Sequence, residues 1–112
     1  MHMEVTAKRV GKAIIIYVDG DLTTHSSPKV EAEINGIIGN EPTHVIINAE
    51  KVNFIASTGL RIIRLLGRRL DHNGCKLCLC SMNETTKSVF NLTGFSKIFP
   101  VFETEDEALS SL

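Results

Sequence analysis

The sequence predicts a mixed α/β fold, a mostly parallel sheet that carries an antiparallel hairpin at its N-terminal end. Three observations predict it. Short β-rich apolar runs alternate with stretches whose apolar residues recur every three to four positions, the order that gives parallel pairing through right-handed crossovers. Only a Val10-Gly11 turn separates the first two runs, so those two pair antiparallel. The runs Ala13 to Val18 and His44 to Asn48 are apolar on both faces, as strands covered by helices are.

Taken in order, Glu4 to Arg9 alternates through Val5 and Ala7 and reads as an edge strand with one buried face. Ala13-Ile14-Ile15-Ile16-Tyr17-Val18 follows as a covered central strand, ended by Asp19-Gly20-Asp21. Ser27-Pro28 then opens a helix, with Ser27 as its cap and Pro28 at the first helical position. Val30, Ile34, Ile37 and Ile38 recur at helical spacing, and Gly39-Asn40 with Pro42 closes that helix. His44 to Asn48 is the next strand. A loop through Lys51 and Ile55 leads to Ser57-Thr58-Gly59 and a long helix. Leu60, Ile63, Leu66 and Leu70 line one side of it, widened by Ile62 and Leu65, and Arg61, Arg64 and Arg68 share the other. Asn73-Gly74 ends it, and Lys76 to Cys80 form a strand.

Ser81-Met82-Asn83-Glu84 spells a capping box and opens a helix that stops at Gly94, the residue suited to a left-handed cap. Ile98 to Phe102 is a short last strand, and Pro100 places it at an edge. Thr104-Glu105-Asp106-Glu107 is a second capping box, opening a terminal helix with Ala108, Leu109 and Leu112. The predicted order is β-β-α-β-α-β-α-β-α in a single domain over residues 1–112.

Composition narrows the function. A chain of 112 residues allows one domain with a radius of gyration of about 13 Å. Twelve basic and thirteen acidic residues give a net charge of −1, which does not suggest a nucleic-acid binder. The longest apolar run, Ala13 to Val18, is far short of the roughly 20 residues that span a bilayer. No secretory signal is visible in Met1-His2-Met3-Glu4. Together with reduced cysteines, that predicts a cytoplasmic protein without membrane insertion.

Three cysteines, Cys75, Cys78 and Cys80, argue by their odd number against a disulfide framework. Cys75 and Cys78 match a Cys-x-x-Cys spelling, but three residues of strand span roughly 10 Å, beyond the about 7 Å limit for a bridge. They read as small buried hydrophobes. The four histidines show no ligand spacing, so no metal and no cofactor is expected.

In such a sheet the functional loops gather at the carboxyl ends of the strands. Here these are 19–27, 49–58 and 81–84, and the middle one is the most informative. Ser57 sits where the first helix amides are unpaired. A hydroxyl there can cap the helix, or it can carry a phosphate favoured by those amides and the helix dipole. No Gly-x-x-x-x-Gly-Lys-Ser/Thr loop and no Gly-x-Ser-x-Gly elbow is present, so neither nucleotide hydrolysis nor a serine hydrolase is indicated. The chain is not expected to be an enzyme. The arginine stripe is either a solvated face or a docking surface for an acidic partner. One Tyr and no Trp leave nothing for nucleic-acid bases to stack on.

Phe54-Ile55-Ala56-Ser57-Thr58-Gly59-Leu60-Arg61 resembles the signature of STAS domains, especially bacterial anti-sigma factor antagonists, which commonly read Asp-Ser-Ser/Thr-Gly-Leu there. Gly20-Asp21-Leu22 is similar to the family's Gly-x-Leu, the stretch from Val89 to Phe99 to its third helix and turn, and Phe102 to Leu109 to its closing strand and helix. The resemblance covers nearly the whole chain.

It implies a partner-switching module. The unphosphorylated antagonist binds an anti-sigma factor that is also a serine kinase, the kinase phosphorylates the serine at the helix start, and a serine phosphatase restores it. By position Ser57 is the implied phosphoacceptor. Asp21, Thr23, Ala56, Thr58, Gly59 and Arg61 fall at positions implied to lie near the partner. Two residues depart from the pattern: Ala56 replaces the family's Asp, and Thr23 an acidic residue. That points either to a different kinase partner or to a domain that binds without being phosphorylated. The runner-up is therefore a non-switching STAS scaffold subunit that binds the ATPase of a lipid-transporting complex. Nucleotide binding and homodimerisation are left open.

Overall fold

The computed structural model describes residues 2–112; Met1, the first residue of the expected domain, lies outside the described residues. The strands are β1 (Glu4–Val10), β2 (Ala13–Asp19), β3 (His44–Lys51), β4 (Leu77–Cys80) and β5 (Val101–Phe102). The helices are α1 (Ser27–Ile38), α2 (Ser57–His72), α3 (Glu84–Thr93) and α4 (Glu105–Ser110), with a 3-10 turn at Phe95–Lys97. The five strands form one sheet in sequence order. β1 pairs antiparallel with β2, from Glu4 opposite Asp19 to Val10 opposite Ala13. All later pairs are parallel. The mixed sheet and the element order are those the sequence predicts. The radius of gyration is 12.6 Å.

The strand pleat sends alternate side chains to two faces. Ile14, Ile16 and Val18 of β2 join Val45, Ile47 and Leu79 against the buried sides of α1, α2 and α3. Ile15, Ile46, Cys78 and Cys80 point the other way and meet Ala108 of α4, the six-residue helix on that face. Burial pushes the Cys78 thiol up to about 11 and raises Cys80 as well. On this face Asn48 Nδ2 donates to Glu105 Oε1 at 2.9 Å, and hydrogen bonding to Glu105 pushes the Tyr17 hydroxyl up to about 12.

Local details differ from expectation where a long-range contact decides them. In β1 only Val5 and Val10 are half-buried, each packed against one of the two core clusters; Ala7 is exposed and joins neither. Leu65 of α2 is exposed, at 39%, rather than part of the buried side. β5 has only two residues, since the 3-10 turn occupies the approach and the chain reaches β4 only at Pro100, whose C=O accepts from Leu79 N–H at 3.0 Å. Ser27 does not cap α1. The N-cap residue is Ser26, whose side chain makes no capping bond; in the turn before the helix Thr23 Oγ1 accepts from Ser26 N–H at 3.0 Å, and Ser26 Oγ accepts from Thr23 N–H at 2.9 Å. Ser81 does not cap α3 either; it holds a left-handed φ of 62°. Asn83 caps instead, accepting from Thr86 N–H at 2.9 Å. The second expected box is present, with Thr104 Oγ1 accepting from Glu107 N–H at 3.1 Å. Gly94 closes α3 in the left-handed conformation, as its type predicts.

Candidate functional site

The three loops at the carboxyl ends of β2, β3 and β4 are tied into one platform. Leu22 and Ile55 form an isolated parallel bridge that extends the sheet beyond its named strands. Its bonds run from Leu22 N–H to Phe54 C=O at 2.9 Å and from Ala56 N–H to Leu22 C=O at 2.7 Å. Asp21 Oδ1 accepts from Asn53 N–H at 3.0 Å. Asn83 Nδ2 reaches Asn53 Oδ1 at 3.2 Å and Val52 C=O at 3.4 Å, so the third loop is fastened to the second.

Helix α2 starts on this platform. Ala56 stands at its N-cap with extended backbone (φ −79°, ψ 168°) and offers no side-chain acceptor. Gly59 N–H and Leu60 N–H both find Ala56 C=O, at 2.9 and 3.1 Å. The amides of Ser57 and Thr58, the first two of the helix, have no intrahelical acceptor and no capping oxygen from Ala56. Ser57 is exposed, and Thr58 half-buried. The buried Ser27 hydroxyl donates to Thr23 C=O at 2.5 Å and lies 3.4 Å from Thr58 Oγ1, which joins the starts of α1 and α2.

Asp21, Thr23, Ala56, Ser57 and Thr58 thus come together on one end of the sheet, and Arg61 lies one turn along α2 on its exposed side. Gly59 does not join this surface. It is buried, and a Cβ there would stand 2.8 Å from Leu22 Cβ and 3.1 Å from Ile55 Cγ2. Its side-chain hydrogen is what lets α2 sit on the Leu22–Ile55 bridge. Thr23 and Asp21 are likewise employed in place, Thr23 tying the turn before α1 and Asp21 tying the loop at Asn53.

One surface residue escaped the sequence reading. Phe54 is 50% exposed beside Ser57, although its carbonyl is fixed by the Leu22 bond. The alternation Asn53-Phe54-Ile55 held the signal: with Ile55 turned into the core, its neighbour had to face water. Among the described residues no group of three His, Cys, Asp or Glu side chains is arranged to hold a metal ion, and no helix is long and apolar enough to cross a membrane.

A match to the STAS domain family runs from residue 4 to residue 108, from the start of β1 into α4. The chain belongs to the STAS domain family. Its relatives include BtrV of Bordetella bronchiseptica, a candidate anti-sigma factor antagonist, 25% identical over 97% of this chain and 94% of that protein. An anti-sigma factor antagonist from Mycobacterium paratuberculosis has a similar structure, with a TM-score of 0.88 at 23% identity, covering 98% of this chain and 93% of that one. The anti-sigma factor antagonist SpoIIAA, a Bacillus cell fate determinant, matches in unphosphorylated and phosphorylated forms, at TM-scores of 0.78 and 0.71 and 22% identity. Each covers 96% of this chain, and 95% and 98% of SpoIIAA. At such identities the structural likenesses establish the fold of this STAS domain.

Proposed function

We propose that this STAS domain is an anti-sigma factor antagonist that works as a single binding module rather than an enzyme. It binds an anti-sigma factor serine kinase through the platform around Ser57, is released when that kinase phosphorylates Ser57, and is reset by a serine phosphatase. The observation that carries this reading is the exposed Ser57 hydroxyl at the uncapped start of α2, on loops braced by the Leu22–Ile55 bridge. The relatives' names support it.

The physics of the switch is local. A phosphate adds about −1.5 to −2 charges, which would double or triple the net charge of −1 and concentrate it at one helix start. Free amides and the helix dipole accommodate it without refolding. A partner surface docked over Phe54 and Arg61 meets that charge directly.

The scaffold alternative draws on two missing acids. One of them has a local cause, because Thr23 exchanges hydrogen bonds with Ser26 in the turn that leads into α1. The first reading is therefore preferred.

Incubation with the cognate kinase and ATP, followed by mass spectrometry, is expected to place phosphate on Ser57. Ser57→Ala should bind the kinase and block phosphorylation, and Ser57→Asp should weaken binding by about tenfold or more, the scale of one opposed charge at an interface. Phosphate elsewhere, or equal binding by Ser57→Asp and wild type, overturns the switch. Pull-down of a transporter ATPase in place of a kinase favours the scaffold.

A further inference from the structure

At the opposite end of α2 the molecule carries a groove of about 530 Å³. That volume lies within the roughly 300–1,000 Å³ of small-molecule sites. The groove exists because β5 is short. It pairs only with Leu79 and Cys80 and leaves the first half of β4 uncovered at the sheet edge. Leu77 and Phe99 form an apolar floor, and Ile98 and Leu112 expose 53% and 36% of their surface along it. This is contiguous apolar surface at a concave place, the arrangement that marks a binding site rather than scattered exposure.

The rim is cationic. Arg64 and Arg68 are one turn apart on α2, and Lys76 stands at the entry to β4. All three are exposed, and none makes an ion pair among the described residues. Asp71 is the one acid among the lining residues. Three cationic side chains against one acidic side chain make the rim locally positive. The arginine stripe therefore divides. Arg61 belongs with Ser57, and Arg64 and Arg68 belong to the groove.

We propose that the groove binds a small anionic amphiphile, an aliphatic carboxylate. Its head group is held by the Arg64 and Arg68 guanidinium forks, whose planar donors match a carboxylate. Its apolar chain lies over Ile98, Phe99 and Leu112. Asp71 on the rim favours a single negative charge over the double charge of a phosphate monoester. This site is independent of the Ser57 reading, since no residue is shared.

The test uses the full chain and decanoate at monomeric concentrations. Amide NMR shifts should saturate at Gly67, Lys76, Leu77 and Ile98. Cys75, the half-buried thiol that lines the groove, should be alkylated more slowly when decanoate is bound. Arg64→Glu with Arg68→Glu should weaken binding by about tenfold or more, the scale of one charged hydrogen bond, with an unchanged melting temperature. The same reversal at Lys8 and Arg9, on the far edge strand, should leave binding unchanged. Decanol and decyltrimethylammonium should bind about tenfold more weakly, and decyl phosphate no more tightly. Shifts confined to other surfaces, equal binding of the cationic amphiphile, indifference to the double arginine reversal, or failure of decanoate to displace an acidic peptide bound there would each overturn the proposal.

Discussion

At its N-terminal end α2 rests on Leu22 through Gly59; about two turns later it rests on Phe99 through Gly67. Both glycines are buried, and both let a neighbouring side chain touch the helix backbone. What surrounds the two contacts differs. At Gly59 the neighbour is the Leu22–Ile55 bridge, held by main-chain hydrogen bonds, and the loop that follows presents Ser57. At Gly67 the neighbour is an aromatic ring that comes from the connection before β5 and is held by packing with Phe95, whose ring centroid lies 6.1 Å away. The first end is braced by backbone and presents polar groups. The second is braced by side chains and leaves an apolar groove. One helix thus separates a surface for charge-dependent contact from a surface for apolar contact.

Gly67→Val breaks this comparison most severely. A Cβ there would stand 2.5 Å from Phe99 Cζ, so ring or helix must move. Overpacking of this kind costs about 1–3 kcal/mol, and the upper end is expected because the ring is buried. Urea unfolding should show the loss, and the groove should lose its ligand while phosphorylation of Ser57 continues. Gly59→Ala is the milder counterpart. Its Cβ meets Leu22 Cβ at 2.8 Å, and the roughly 1 kcal/mol gain in helix propensity offsets part of the clash. A net loss of about 1 kcal/mol is expected in the same unfolding assay, with partner binding weakened and decanoate binding intact.

These contacts also show what the sequence could and could not disclose. Element order was legible because periodicities of 2 and 3.6 are local properties: Val30, Ile34 and Ile38 of α1 are all buried as spaced. Caps were less legible, because two spellings overlapped. Ser81 to Glu84 reads as a box, but Asn83 to Thr86 also caps, and the contacts of Asn83 with Val52 and Asn53 decide for the latter. At α1, Ser27-Pro28 spells a cap, whereas Ser26 stands at the N-cap and its side chain turns back to bond Thr23. Ser57 was placed by its motif, and its position at the first residue of α2 follows. The burial of Gly59 is not legible from its motif, because motif position says nothing about Leu22, 37 residues earlier. The groove was not legible at all, since its walls come from α2, β4, the turn before β5 and the residues after α4.

Ala56→Asp sharpens the comparison at the Ser57 end. The extended backbone at Ala56 already suits a capping carboxylate, so the substitution should stabilise the domain by about 1 kcal/mol in thermal unfolding. The same carboxylate would occupy the amides that a phosphate on Ser57 would use, and repel it. Phosphorylated Ala56→Asp protein should therefore melt lower relative to its own unphosphorylated form than phosphorylated wild type does. An equal difference in the two backgrounds would show that the open cap has no part in accommodating phosphate.

At the groove end the effect is confined to alkali and vanishes at neutral pH. Burial raises the Cys78 thiol from 9.0 to about 11, so the folded state holds its proton over a range in which the unfolded chain has lost it. The sign follows from the proton count. Between about pH 9 and 11 the folded state binds more protons, and stability falls as pH rises. Below pH 9 both states are protonated and the thiol contributes no slope. At pH 10 the loss from this group should be about 1.4 kcal/mol. Tyr17, raised from 10.0 to about 12 by Glu105, adds the same sign of slope at higher pH. Urea midpoints measured from pH 8 to 10.5 should therefore decline, and Cys78→Ala should flatten the decline while lowering the whole curve through its lost packing. A Cys78→Ala curve parallel to wild type over that range would mean that the thiol ionises in the folded protein as freely as in the unfolded chain, and that the wall of the groove at Cys78 is open to water.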